Sequence, residues 1–439
     1  MKPESRILQL DVLGSFDFYT SVVSIDAVES PEFQRLADVH GPPQRGRRLT
    51  LEQFLAADRV LPLIAHELTH FIDATSTCWG LQHLKLLDLA YRAQASQREE
   101  DFYHLKAAYN HVRTLRLPAY YTLVEETEQE VLCPWTYQVS IGLRFTASGA
   151  VEGAVPVAFC KFATLDGVLL ARSPLSPVSL LETSAMAQEL QQRYALLMAV
   201  DGPEGLVEQR RQAQKALDYL YNHRITEYSA CAHLVANYQQ CTDVLAAYRL
   251  AGILSRLVLN FAPVSFTAIA NSGELGAVFG VALDHQYAQR VRQGLLANDC
   301  GVLYYVLCAA MPADSFATYA AAVAGIERAL VRLGTSIQEV TEHARAEVAR
   351  IAGEVALSPS VVLRLLSIAG ARNFDLQPPL SDLLQFQTLH LPQLLFGDCL
   401  ALPMNGREDN LLENLEPDTC FDELYPLEQA IRNFADACV

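Results

Sequence analysis

Residues 61–73 read Leu61-Pro62-Leu63-Ile64-Ala65-His66-Glu67-Leu68-Thr69-His70-Phe71-Ile72-Asp73. Within them, His66 and His70 stand four positions apart. On a helix, positions i and i+4 lie one above the other on one face, so both imidazoles can reach one tetrahedral ion. Glu67 is offset from that line. It need not ligate, yet it can reach a metal-bound water and take its proton. Leu63, Ile64, Leu68, Phe71 and Ile72 supply apolar flanks that bury the helix on other faces. Two histidines and a glutamate in such a helix need partners, because burying unpaired polar groups costs free energy. Pro62 fits a first helical turn, where its missing N–H is unpaired anyway. The expectation is therefore one helix starting at Thr50 and a second starting near Pro62.

The His-Glu-x-x-His pattern resembles the zincin metallopeptidases, over this helix and one downstream glutamate. A zincin takes a third protein ligand. The longer metzincin pattern, HExxHxxGxxH, is missing, since position 73 is Asp and position 76 is Ser. The aspzincin Gly-Thr-x-x-Asp pattern is missing as well. The gluzincin arrangement, a glutamate on a second helix, fits Leu180-Leu181-Glu182-Thr183-Ser184-Ala185-Met186-Ala187-Gln188-Glu189. Small residues beside Glu182 let two helices approach closely around an ion. The resemblance thus implies Zn²⁺ held by His66, His70 and Glu182, with Glu67 as general base.

Departures and rivals sit close by. Many gluzincins carry an Asp four residues after the glutamate, supporting the first histidine; here that residue is Met186. Glu182 follows His70 by 112 residues, which is long for the family and implies an inserted segment. Glu189 and Glu227 are rival third ligands, and Glu227-Tyr228-Ser229-Ala230 echoes Glu182-Thr183-Ser184-Ala185. Asp73 shares a face with the histidines but lies about 10 Å along the axis from His66, at roughly 1.5 Å per residue. Support of His70 suits it better than ligation. Gluzincins also use a downstream Tyr or His to stabilise the oxyanion. Tyr221, His223, Tyr228 and His233 are the candidates, and Tyr228 and His223 are taken with Glu67 as the catalytic set. His83, His104 and His111 read as surface histidines.

The composition narrows the function classes. The chain has 439 residues, 51% of them hydrophobic, enough for a large core. Lys+Arg number 33 against 50 Asp+Glu, a net charge of −17. An acidic chain without a basic tract argues against nucleic-acid partners, which are held by phosphate neutralisation. It argues equally against an anionic membrane surface. The apolar stretches Val302–Met311 and Phe316–Ile326 fall short of the roughly 18–20 residues of a span, and read as buried helices. Met-Lys-Pro-Glu-Ser-Arg is followed by no apolar signal-peptide core. Ten cysteines without a Cys-x-x-Cys pair fit reduced thiols and a cytoplasmic location.

Residues 6–27 and 137–171 look extended, including Phe16-Asp17-Phe18-Tyr19, and residues 40–48 look like an Arg-bearing loop. Helices are expected over about 80–116, from Ser176-Pro177 to about 199, and at about 204–222, 225–239, 242–260, 314–333, 335–352 and 359–370. The last 60 residues read as short helices and loops. The expected fold is α+β and predominantly helical, with a zincin-like core, a small β portion and a helical C-terminal lobe. Its divisions are 1–48, 49–260 and 261–439. The expected function is an intracellular zinc peptidase that cuts a polypeptide through a metal-activated water. One alternative is a dimetal (iron) carboxylate oxidase or oxygenase. Glu67-Leu68-Thr69-His70 would be one Glu-x-x-His pair and Asp101-Phe102-Tyr103-His104 a loose second. The other is a non-catalytic helical interaction protein.

Overall fold

A computed structural model describes residues 13–40, 48–96, 98–125, 134–145, 149–200, 202–404 and 406–437. The chain opens with strands β1 (Ser15–Phe16) and β2 (Val23–Ile25) and helices α1 (Ser30–His40), α2 (Leu51–Ser76), α3 (Cys78–Ser96) and α4 (Tyr103–Leu115). Strands β3 (Leu123–Val124), β4 (Thr136–Phe145), β5 (Val151–Ala163) and β6 (Leu169–Pro174) follow. Next come α5 (Pro177–Leu197), α6 (Gly202–Leu220), α7 (Thr226–Gln239), α8 (Val244–Leu259), α9 (Pro263–Ala270), α10 (Leu275–Val278), α11 (Gln286–Leu296) and α12 (Cys300–Ala310). The chain continues through α13 (Tyr319–Arg332), α14 (Ile337–Val355), α15 (Val361–Leu376), β7 (Gln393–Phe396), β8 (Ala401–Pro403) and α16 (Pro417–Ala437). The protein is α+β and predominantly helical. It divides into two compact units. One is Met1–His111, Ala185–Gln212 and Val348–Val439; the other is Val112–Ser184 and Ala213–Glu347. The division after Ser184 falls inside α5.

The first unit is organised around α2. Thr50 caps it: its Oγ1 accepts the Gln53 N–H at 3.2 Å, and Gln53 Oε1 accepts the Thr50 N–H at 3.0 Å. The break expected at Pro62 does not occur, and one helix runs from Leu51 to Ser76. Pro62 removes one helical hydrogen bond. From Ile64 to Ser76 every residue is buried, so packing on all sides holds the helix together. Helices α3 and α15 pack on α2. At Gly370 of α15 a Cβ would lie 1.9 Å from the Thr75 carbonyl oxygen, so only glycine permits that backbone approach.

A four-stranded sheet of order β1-β2-β7-β8 lies beside α2. Strand β2 pairs in parallel with β7, Val23 with Leu394 and Ile25 with Phe396. The extended reading of Phe16-Asp17-Phe18-Tyr19 is corrected: only Ser15 and Phe16 pair as a strand. Asp17 Oδ1 accepts the N–H groups of Tyr19 and Thr20, each at 2.9 Å, and turns the chain. The rest of that stretch, 6–12, and most of the Arg-bearing loop, 41–47, lie outside the described residues. Two expectations for helices are also corrected. The 80–116 region breaks after Ser96. The tail holds β7, β8 and the 21-residue α16 rather than short helices alone.

The second unit has an antiparallel sheet of order β3-β6-β5-β4. Helices α7, α11 and α12 pack against its strands, and α8 packs on α7 and α12. Among the described residues no single helix is long and apolar enough to cross a membrane. The pair α8 and α9 reaches that length only together and bends by 106° at its break. Eight described cysteines are free thiols, all buried except Cys399. Cys133 and Cys438 lie outside the described residues.

Candidate metal centre

Helix α2 presents His66 and His70 as its spacing dictates. Both are buried, and their Nε2 atoms face each other at 3.1 Å. Helix α5 brings up Glu182, 2% exposed. One ligand atom from each of His66, His70 and Glu182 lies within 4.8 Å of the other two.

Polar contacts made by α5 fix its position against α2. Arg193 Nε donates to Asp58 Oδ1 at 2.7 Å, and Arg193 also pairs with Glu189 at 3.1 Å. Glu189 Oε2 in turn lies 3.0 Å from His66 Nδ1. Burial raises the Glu189 carboxyl, but the His66 hydrogen bond and charge, with Arg193, outweigh it and hold the group below its ordinary range. An ionised Glu189 only accepts, so it faces a proton on His66 Nδ1; in its neutral form with that tautomer, His66 would turn an Nε2 lone pair toward the cluster.

The donor set fits a metal. Two imidazoles and a carboxylate are donors that divalent transition metals take, zinc among them. Metal–nitrogen bonds of about 2.0–2.1 Å at tetrahedral angles separate two nitrogens by about 3.3 Å. The His66–His70 separation of 3.1 Å is close to that.

Glu67 is buried, and Gly14 lies against it. A Cβ on Gly14 would come within 3.1 Å of both Glu67 Oε1 and the Ser24 carbonyl oxygen. The residue just before β1 thus lies against the carboxylate, and a side chain there would require its neighbours to shift by a few tenths of an ångström.

The other sequence candidates take different places. Glu189 supports His66; in sequence it had read as a rival ligand. Glu227 pairs with Arg116 at 3.0 Å and stands outside the three-residue cluster. Burial raises its carboxyl, Arg116 opposes that, and the charge of Glu182 adds to it. Tyr228 is buried beside Glu227, and His223 is half-buried in a short turn; neither joins the cluster. Burial and then Arg224 lower the His223 pKa. His233 Nε2 donates to the Leu220 carbonyl at 2.7 Å and stacks on Trp135, with Tyr221 edge-on. Burial pushes His233 down to about 4. Asp73 is fully buried on α2.

His83 and His111 correct a second expectation. His83 is buried and His111 half-buried. With Trp79 they form a packed trio of rings whose centroids lie 5.3–5.8 Å apart. Burial pushes His83 to about 4, its bond to Phe18 opposing; burial and then His83 push His111 to about 3. His104 is half-buried beside Tyr103. No protein-family model matches the chain, and no match was found among curated proteins or solved structures.

Proposed function

We propose that the protein is a zinc-dependent peptidase with a zincin-like, gluzincin-type core, working on a polypeptide in a reducing intracellular compartment. The observation that carries this reading is the buried convergence of His66, His70 and Glu182 within 4.8 Å, next to Glu67 in sequence. Buried free thiols fit the compartment.

When bound, a zinc ion supplies Lewis acidity toward the scissile carbonyl and lowers the pKa of a water toward about 7. His66, His70 and Glu182 would hold it. Glu189 keeps the His66 ring in the right tautomer and orientation. Glu67 accepts the proton from water and passes it to the leaving amine nitrogen. Tyr228 and His223 are the proposed donors to the developing oxyanion. The dimetal reading has less support, because Glu227 is engaged by Arg116 and a second Glu-x-x-His is missing from the sequence.

The test is metal analysis of native protein beside His66→Ala and Glu182→Ala, with peptidase assays on a mixed peptide library. One zinc per chain, lost in both variants, supports the proposal. Two irons would move the reading to the dimetal class. A metal-free native chain, with both variants folded as before, would overturn the enzyme reading.

A further inference from the structure

We propose that His83 is a positioning residue for the metal centre, acting on His70 through the turn that carries Phe18. The inference rests on the metal reading above and adds a residue that the zincin pattern does not name.

The contacts run in one chain within the first unit. His83 Nε2 donates to the Phe18 carbonyl at 2.6 Å. The Phe18 ring faces the His70 ring, centroids 6.4 Å apart at 59°. Phe18 is 1% exposed and is boxed in by Phe16, Trp79 and His83, each at 79–81° to its ring. In a close-packed interior the His70 ring cannot swing toward Phe18 unless Phe18 moves first.

Phe18 is fixed by its backbone. On one side, Asp17 closes the turn: its side chain accepts Tyr19 and Thr20 N–H, and its carbonyl accepts the Ser21 N–H at 2.7 Å. On the other side, His83 holds the carbonyl. A neutral imidazole has one N–H to give, and His83 gives it to Phe18. Stacking on Trp79 and His111 sets the plane of the His83 ring and hence the direction of that bond. The arrangement resembles the partner groups that orient metal-bound histidines elsewhere, with a ring and a carbonyl in place of a carboxylate.

The test measures zinc affinity by competition with a chromogenic chelator, and the visible spectrum of the Co²⁺-loaded protein. His83→Phe fills the space but removes the donor. Zinc affinity is expected to fall about 10- to 100-fold, the range for loss of a ligand-orienting partner, and the Co²⁺ bands to shift. His83→Gln keeps an N–H at similar reach and should restore affinity to within a few-fold. Phe18→Leu leaves the carbonyl bond but removes the ring beside His70, so it should move both readouts in the same direction as His83→Phe. It decides the matter alone if His83→Phe fails to fold. Unchanged affinity and spectrum in the folded variants would overturn the inference while leaving the metal reading intact. Equal losses in His83→Gln and His83→Phe would assign the effect to the ring stack and overturn the route through Phe18. A wild-type chain that binds neither Zn²⁺ nor Co²⁺ would overturn both readings together.

Discussion

His66 Nδ1 stands 3.0 Å from Glu189 Oε2, so the helix that delivers Glu182 also braces the first histidine two turns further on. Residues seven apart on a helix lie almost in line, about 20° from the same azimuth at 3.6 residues per turn. Glu182 and Glu189 therefore address one flank of α2 with two carboxylates, one toward the cluster and one behind the ring. Arg193 and Asp58 extend the row. The pairing predicts that Glu189→Ala weakens zinc binding about 10- to 100-fold in a folded protein. Chelator competition is the measurement, and an unchanged affinity would remove Glu189 from the centre.

Glu67 has a different signature. It lies outside the three-group cluster but beside it in sequence. Glu67→Gln should keep one zinc per chain and lower peptide turnover by about 10²–10⁴-fold, the span for a general base. Metal analysis and turnover on the same preparation separate the roles. Loss of zinc in this variant would make Glu67 a ligand.

Two glycines should respond in opposite directions. At Gly370 a Cβ meets the Thr75 carbonyl oxygen at 1.9 Å, and neither backbone can yield without parting α15 from α2. Gly370→Ala should cost about 3 kcal/mol, the upper end for overpacking. At Gly353, exposed in α14, a Cβ meets nothing within 4 Å. Gly353→Ala should stabilise by about 0.5 kcal/mol through helix propensity. Urea unfolding of both variants gives the two signs directly.

Acid should weaken the fold through buried neutral histidines. Burial pushes His83 to about 4, His111 to about 3 and His233 to about 4, from an ordinary 6.5. Across that window the unfolded chain binds more protons than the folded one. Stability contributed by these groups is present above 6.5 and is lost as pH falls toward their folded values. Asp17 works the other way. Burial pushes it up to about 6 from 3.8, so its folded state binds the extra proton and is favoured as pH falls through 6. Burial raises the Glu227 and Asp299 carboxyls as well and lowers His223 and His390, so five histidines against three carboxyls leave a net loss on acidification. The Tm should fall between pH 7 and pH 4.5, and unfolding at pH 5 should take up protons. A Tm flat over that range would contradict the buried neutral assignments.

The two histidines of the candidate centre were legible because a spacing of four places them on one helical face. Glu182 was legible through the resemblance to gluzincins, as a charge among small and apolar residues. Glu189 was legible as a carboxylate on that helix, but its role depends on where the helix sits against α2, which Asp58 and Arg193 set at a distance in sequence. His83 and His111 were misread because their partners are remote or disguised. Trp79 is a lone aromatic in sequence, and the Phe18 carbonyl is a backbone group that no side-chain pattern reveals. Pro62 misled by local rule, since burial from Ile64 onward overrides the lost hydrogen bond. The pairing of β2 with β7 was out of reach, since nothing in two short apolar runs specifies each other over such a separation.

That pairing also sets a schedule for biosynthesis. Strand β2 leaves the ribosome early, and its parallel neighbour emerges only about 370 residues later, a loop closure of the slow, long-range kind. The sheet beside the histidine helix cannot be completed on a nascent chain until Pro403 is made. A chain made in that order gains the β2–β7 pairing beside the histidine helix only near the end of translation, and a ribosome that stalls midway releases a chain without it.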